Sequence, residues 1–485
     1  MSTRRESTSP IQIGPVGQSW PPYPPAEETE LERALRLEEE KEAKKKSDVI
    51  DEAIEVERNE LKKRKQYIKV LLLGQAESGK STILKQFQLN YAPKAFQAES
   101  EAWRAVIQLN LVRTVNFILD IMAGSSNMTS EEKESAATYS SSPQPNANRS
   151  SSETRNDDLG PLKTRLAPLR QVEMILVNRL SADEPRRSGS LDGLTPKYYS
   201  RASEVSIRGG TGWKALVQRK QDSRGSEPDD LDQARQILET CQKDIVALWK
   251  SPPVQQQLRQ SDIVLRDQSG FFLDDTRRIA SQKYKPTFPD ILKARLQTIG
   301  VEEHSMTFES AEGQSAAAQA GKTWLFYDVG GSKGQRAAWA PYFDDVNAMI
   351  FLCSMAGFNQ TLSEDRSVNR LLDSLTLWKT ICSSKLLSNV TFILLLNKCD
   401  LLEAKLKGGE LFARYVRSFK EANDFKHVSE YLRGKFIAIH KSQSARKRAL
   451  HVHLTCAIDI EVMSHVIVRL REAILVDNLM SVDLI

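Results

Sequence analysis

A short apolar run, YIKVLLL (67–73), leads straight into GQAESGKST (74–82), and that junction leaves few folds open. The second segment fits G-x-x-x-x-G-K-[ST] with Gly74, Gly79, Lys80 and Ser81. Such a loop must aim backbone N–H groups at phosphate oxygens, send a lysine ammonium to the β- and γ-phosphates, and offer a hydroxyl to Mg²⁺. Glycine permits the close approach. A buried strand before the loop and a helix start after it are the context in which the pattern marks a nucleotide site.

Similar apolar runs recur late in the chain: TWLFYDV (323–329), NAMIFLC (347–353), VTFILLL (390–396) and the weaker RALHVHLT (448–455). Segments long enough for helical crossovers separate them. This alternation predicts an α/β fold, a doubly wound and mostly parallel sheet, over residues 67–91 and 294–485. Residues 92–293 lack strong strands and carry amphipathic stretches at 103–121 and 230–248, so an inserted all-α domain is expected there. Within it, about 125–155 and 186–228 are too polar to offset the entropy of ordering, which predicts two low-complexity loops.

The first 25 residues are rich in Ser, Pro and Gly and read as disordered. Residues 26–66 turn to Glu, Lys, Arg, Leu and Ala, with Glu40/Lys44, Glu42/Lys46 and Glu60/Arg64 at helix-supporting spacing. Ile50, Ile54 and Leu61 form a narrow apolar stripe on this helix. The stripe suits a partner groove, and a solvated spacer fits equally well.

Bulk composition excludes several classes. Lys and Arg total 68 against 63 Asp and Glu, so the net +5 is a small remainder and implies no nucleic acid partner. Five scattered cysteines without a CxxC pair argue against structural zinc and fit reduced thiols in the cytoplasm. No apolar run approaches the roughly 18 residues that a membrane-spanning helix needs, and the start lacks a secretory apolar region.

The base is chosen by NKCD, directly after VTFILLL. Asn397 can hold the purine N7/O6 edge, the Lys398 stem can stack on the ring, and Asp400 can accept from guanine N1 and N2. Adenine would leave that carboxylate unpaired, so GTP is favoured over ATP. After TWLFY, Asp328 can reach Mg²⁺ through water, and Gly330 and Gly331 can bring an N–H to the γ-phosphate.

GQAESGKSTILKQF, YKPTFPDILKARLQTIG, FYDVGG, FILLLNKCDLLEAKL and HLTCAIDIE, in this order, resemble the α subunit of heterotrimeric G proteins. The resemblance runs from about residue 48 to the C-terminus. It implies a P-loop Ras-like GTPase domain with an inserted helical domain, GTP or GDP as ligand and Mg²⁺ as cofactor. Glu77, Ser78, Gly79, Lys80, Ser81 and Thr82 then match the phosphate cradle. Leu292, Lys293, Ala294, Arg295, Leu296, Gln297 and Thr298 match the first switch, with Arg295 as built-in arginine finger and Thr298 joining Ser81 and Asp328 around the metal. Asp267 matches the inner face of the helical domain. Cys399 lies within the base motif, and Thr455, Cys456 and Ala457 match the loop under the guanine ring. Arg336 and Asp373 match an ion pair that locks the second switch.

Implied partners are a Gβγ dimer at the N-terminal helix, a G-protein-coupled receptor at the C-terminal tail NLMSVDLI, an effector at the switches, and a GTPase-activating regulator. Departures matter too. Ser332 stands where the family keeps its water-orienting glutamine, so Arg295 and Ser332 make a catalytic pair expected to hydrolyse GTP slowly. Gln335 falls three positions late, and Ala76 replaces a usual glycine. Residue 2 is Ser and no cysteine precedes Cys241, so N-terminal lipidation of the usual kind is not expected. Attachment to the inner face of the plasma membrane would then run through partners. Two alternatives stay open: a GTP-binding interaction protein with little hydrolysis, and an ATP-using P-loop enzyme.

Overall fold

The computed structural model describes residues 29–64, 67–124, 159–180, 230–261, 263–296, 298, 300–309, 323–444 and 448–481. The expected disordered N-terminus, both low-complexity loops, Gln297, Leu484 and Ile485 lie outside the described residues.

Residues up to Tyr67 form one unit, dominated by helix α1 (Glu30–Arg64). Its apolar side chains Leu31, Leu35, Val49, Ile50 and Ile54 are exposed. Arg36 pairs with Glu40 at 2.6 Å, one helical turn apart, the spacing that supports a solvated helix.

The second unit, from Ile68 onward, is built on a six-stranded sheet of order β2-β3-β1-β4-β5-β6. The strands are β1 (Ile68–Gly74), β2 (Val301–Thr307), β3 (Thr323–Val329), β4 (Ala348–Ser354), β5 (Thr391–Asn397) and β6 (Leu450–Leu454). All neighbours are parallel except the β2–β3 pair. Every residue of β1, β4 and β5 is buried, which is why these strands read as continuous apolar runs. The predicted sheet class holds. Strand β2 was not foreseen: VEEHSMT is a polar edge strand whose Met306 alone joins the sheet core, so it lacks the apolar signal.

Helices α2 (Lys80–Tyr91) and α16 (Ile460–Ser481) cover one face of the sheet, where Phe87, Trp324, Phe326 and Ile467 pack together. A second core, mostly of helical residues and with none from a strand, includes much of α4 (Ser100–Gly124). Around it lie α3 (Pro93–Ala98), α5 (Leu159–Leu166), α6 (Leu169–Leu180), α7 (Asp230–Thr240), α8 (Gln242–Lys250), α9 (Pro252–Gln260), α10 (Thr276–Ile279) and α11 (Phe288–Lys293). Residues 100–123 of α4 are long and apolar enough to cross a membrane by length and composition, the only such helix among the described residues. This corrects the expectation of no such stretch: an 18-residue window of this helix with no more than two charged side chains is apolar enough on average. Its apolar window is 67% buried inside the fold, which is how a core helix meets the same test.

Helices α12 (Arg370–Ser383), α13 (Cys399–Lys407), α14 (Phe412–Tyr415) and α15 (Phe425–Gln443) complete the order. In register, Leu72 faces Asp328, Gly74 faces Leu352 and Ser354 faces Asn397. Gly74, Asp328 and Asn397 therefore sit together at the C-terminal ends of parallel strands, where open α/β sheets bind ligands.

Candidate nucleotide site

The loop after β1 turns tightly because two of its residues occupy the left-handed region, Gly79 at φ 106° and Glu77 at φ 60°. A Cβ on Gly79 would overlap the Asn397 side chain, so the pattern glycine is required by close approach as well as by dihedral. Glu77 has no such freedom and is held there by charge. Its carboxylate pairs with Arg295 at 2.9 Å and Arg370 at 3.3 Å, and Arg370 also donates to the Ala76 carbonyl at 2.6 Å.

Burial raises the Glu77 pKa, but Arg295, Arg370 and Lys398 outweigh it and bring it from 4.5 to about 2. The folded state thus binds fewer protons, so the contribution is complete above pH 4.5 and is lost as pH falls through about 2. Glu77→Gln should lower stability by at most about 3 kcal/mol at pH 7, because each tenfold change in proton affinity corresponds to roughly 1.4 kcal/mol. Thermal melts between pH 7 and pH 2 should show the gap to the parent closing; a constant gap would contradict the pairing.

Lys80 begins α2 and is buried. It donates to the carbonyls of Gly74 at 3.0 Å and Gln75 at 2.8 Å. Burial pushes its pKa down to about 8, with Asp328 opposing. Ser78 Oγ is buried without a hydrogen-bond partner, and Thr82 follows in the first turn of α2.

Three expected metal-binding residues from three separate segments converge. Ser81 Oγ donates to Asp328 Oδ2 at 2.5 Å, Thr298 Oγ1 donates to the same oxygen at 3.1 Å, and the two hydroxyls are 3.2 Å apart. Asp328 is buried, and its Oδ1 lacks a hydrogen-bond partner. A buried carboxylate oxygen with no donor is costly unless something else balances it. Two hydroxyls and one carboxylate fit Mg²⁺, which takes hard oxygens and shares its shell with substrate phosphates.

On the base side, Lys398 is left-handed at φ 64° and turns the chain from β5 into α13. Burial lowers its pKa to about 8. Asp400 is exposed in the first turn of α13. Cys399 donates through its N–H to Thr455 at 3.3 Å, which joins the base motif to the loop after β6. Burial, reinforced by Asp400, pushes the Cys456 thiol up to about 12.

Asn397, the expected purine reader, also bonds on both sides within the protein. Its Oδ1 accepts from Ala457 N at 3.0 Å and Thr455 Oγ1 at 3.2 Å, while Nδ2 donates to the Ser78 carbonyl at 2.8 Å. It is a strut joining phosphate loop and base loop, with one amide hydrogen left over for a purine.

The segment expected as the first switch begins at the end of α11. The Lys293 carbonyl accepts from Gly270, and the Ala294 carbonyl from Lys85 at 3.0 Å. Leu292 is buried and Leu296 packs on the helical core. Asn110 of α4 clamps Arg295 at both backbone atoms, accepting from its N–H at 2.8 Å and donating to its carbonyl at 3.0 Å. Asp267 lies 3.8 Å from Lys405 of α13, an ion pair between the helical layer and the base side.

In the pair expected to lock the second switch, Arg336 grips Asp373 through two nitrogens, at 3.1 and 2.6 Å. Asp373 also accepts from Gln75 at 2.5 Å. Asn110, Arg370, Lys405 and Gln75 were missed in the sequence because no short spacing connects them to the loops they hold. Only LLEAKL, next to the base motif, could have pointed to Lys405.

Fold and site together put the chain in the class of Ras-like P-loop proteins with a helical insert. The family model for the G-protein alpha subunit matches residues 44–474. A guanine nucleotide-binding protein alpha-4 subunit from Mycosarcoma maydis is 30% identical over 95% of this chain and 94% of its own length. An alpha subunit from Coprinellus congregatus is 26% identical over 90% of this chain and 94% of its own. A G(o) subunit alpha from Caenorhabditis elegans is 34% identical over 48% of this chain and 62% of its own. The chain belongs to the G-protein α subunit family, whose members bind guanine nucleotides in G-protein signalling and are GTPases.

Proposed function

We propose that this chain is a GTP/GDP switch that couples a seven-helix receptor to an effector and hydrolyses GTP slowly, with Mg²⁺ as cofactor. The convergence of Ser81, Thr298 and Asp328 beside the phosphate loop is the observation that carries the reading. These three residues would hold the metal, which would supply charge neutralisation at the β- and γ-phosphates. The loop amides and Lys80 bind the triphosphate, Asp400 accepts from the guanine edge, and Arg295 offsets charge on the γ-phosphoryl group in the transition state. A water oxygen forms a bond to the γ-phosphorus while the bond to the bridging oxygen breaks. That electron pair leaves with GDP, and the water proton passes to phosphate and solvent.

Slow turnover is expected because Ser332, in the glutamine position, is too short to reach such a water directly. Its hydroxyl is spent on Gln335 Oε1 at 3.0 Å. Ser332→Gln should raise single-turnover phosphate release about tenfold; an unchanged rate would refute the role given to this position. Ser332 also favours a second reading, a GTP-binding interaction protein with little hydrolysis. Phosphate release with and without a GTPase-activating partner separates the two.

The exposed Leu31, Leu35, Val49, Ile50 and Ile54 support α1 as the site for a Gβγ dimer. Receptor contact through the C-terminal tail, effector contact through the switches, and a place at the inner face of the plasma membrane through these partners complete the proposal.

A further inference from the structure

We infer that Gln335 is the side chain that orients the attacking water, with Ser332 as its tether, so that two residues divide the work usually given to one glutamine. The inference rests on the hydrolytic reading above and supplies that reaction with a catalytic residue.

The geometry begins in the backbone. Ser332 is extended, and a 3₁₀ segment, Lys333–Asp345, starts immediately after it. In 3₁₀ geometry residues three apart lie on the same side, so positions 332 and 335 face each other. The turn closes twice: Gln335 N–H donates to the Ser332 carbonyl at 3.0 Å, and Ser332 Oγ donates to Gln335 Oε1, also at 3.0 Å. A glutamine three positions late is thereby carried back toward β3.

The carboxamide comes to rest over Gly330. A Cβ added to Gly330 would overlap Gln335 Oε1 and lie 3.1 Å from the Thr298 carbonyl oxygen. Glycine at 330 is what admits the glutamine. Gly330 is itself fixed, because its N–H donates to the Gly300 carbonyl at 2.8 Å and its carbonyl accepts from Trp339 Nε1 at 2.9 Å. Arg336, the next residue, is held by Asp373, which anchors the start of the segment.

Gln335 Oε1 and the Thr298 carbonyl oxygen therefore flank one spot, close enough together for a single water to bridge them. The amide oxygen has a second lone pair after accepting from Ser332. A water that donates one hydrogen to each of these oxygens keeps a lone pair free, which is the orientation a nucleophile requires. The next residue, Gly331, packs on the phosphate loop, since a Cβ there would overlap the backbone of Gln75 and Ala76. Gln335 takes no proton; it only orients the water that adds to the γ-phosphorus as GDP departs.

The test compares the parent with Gln335→Ala, Ser332→Ala and the pair Ser332→Gln/Gln335→Ala, all preloaded with GTP and Mg²⁺. Gln335→Ala should slow single-turnover phosphate release about tenfold or more, and Ser332→Ala by less. Calorimetry supplies a readout apart from turnover. Affinity for GDP with aluminium fluoride, a mimic of the transferring phosphoryl group, should fall about tenfold in Gln335→Ala, while affinity for GTPγS stays unchanged. In the Ser332→Gln background, loss of Gln335 should add little. Parental rate and parental mimic affinity in Gln335→Ala would overturn the inference, and so would an equal loss of GTPγS affinity, which marks a merely structural role. A parent that releases no phosphate and binds the mimic no better than GDP would instead overturn the hydrolytic reading itself.

Discussion

Asparagine at position 400 should weaken GTP binding at least about a hundredfold and shift preference to xanthosine triphosphate. The reason is donor and acceptor count. Guanine presents N1–H and the 2-amino group, both donors, to a carboxylate that only accepts. An asparagine amide keeps one acceptor and gains a donor, which faces the guanine amino group and leaves a polar pair unmatched. Xanthine carries a carbonyl at that position and accepts from the new N–H. Sites built on a specific hydrogen-bonding edge discriminate by factors of about 10⁴ when the edge is wrong, so a hundredfold change is a conservative expectation at a residue that is itself exposed. The left-handed turn at Lys398 and the Cys399–Thr455 backbone bond position the residue, and neither depends on its side chain. Calorimetric ranking of GTP, XTP and ATP with Mg²⁺ checks this. An unaltered ranking in Asp400→Asn would remove the case for guanine as the bound base.

Arg295→Ala should cut single-turnover GTP hydrolysis by about 10³ while changing GTP affinity less than about tenfold. A finger arginine contributes mainly when charge develops on the transferring phosphoryl group, so its loss falls on the chemical step. The setting supports that role. Asn110 holds the Arg295 backbone from both sides, and Glu77 in the phosphate loop holds the guanidinium at 2.9 Å. Both restraints limit where the side chain travels, so less ordering remains to be done at the transition state. Arg295→Lys should not restore the rate, because a single ammonium cannot reproduce the planar fork. Equal loss of binding and turnover would make Arg295 a ground-state ligand instead.

The two predictions concern residues legible in the sequence for different reasons. Asp400 belongs to a motif whose chemistry can be derived from hydrogen-bond counts alone. Arg295 was singled out only through resemblance, since an arginine in LKARLQT carries no signal of its own. Its neighbours Asn110 and Glu77 come from α4 and from the phosphate loop, more than 180 positions away in the first case. Asn397 illustrates the converse: the motif identified the residue, while the structure gave most of its hydrogen-bonding capacity to Ser78, Thr455 and Ala457.

Local patterns were sufficient for the parallel strands β1, β3, β4 and β5, the phosphate loop, DVGG and the base motif. Strand burial and loop chemistry leave their mark within a few consecutive residues, and glycine, lysine and hydroxyl spacings express a single turn of backbone. The polar edge strand β2, the Arg370–Glu77 and Lys405–Asp267 pairs, the Gln75–Asp373 bond and the return of Gln335 over Gly330 came only from the folded chain. Each joins segments whose separation bears no relation to their composition, and a hydrogen bond between distant side chains exists only once packing has brought both ends to the same place.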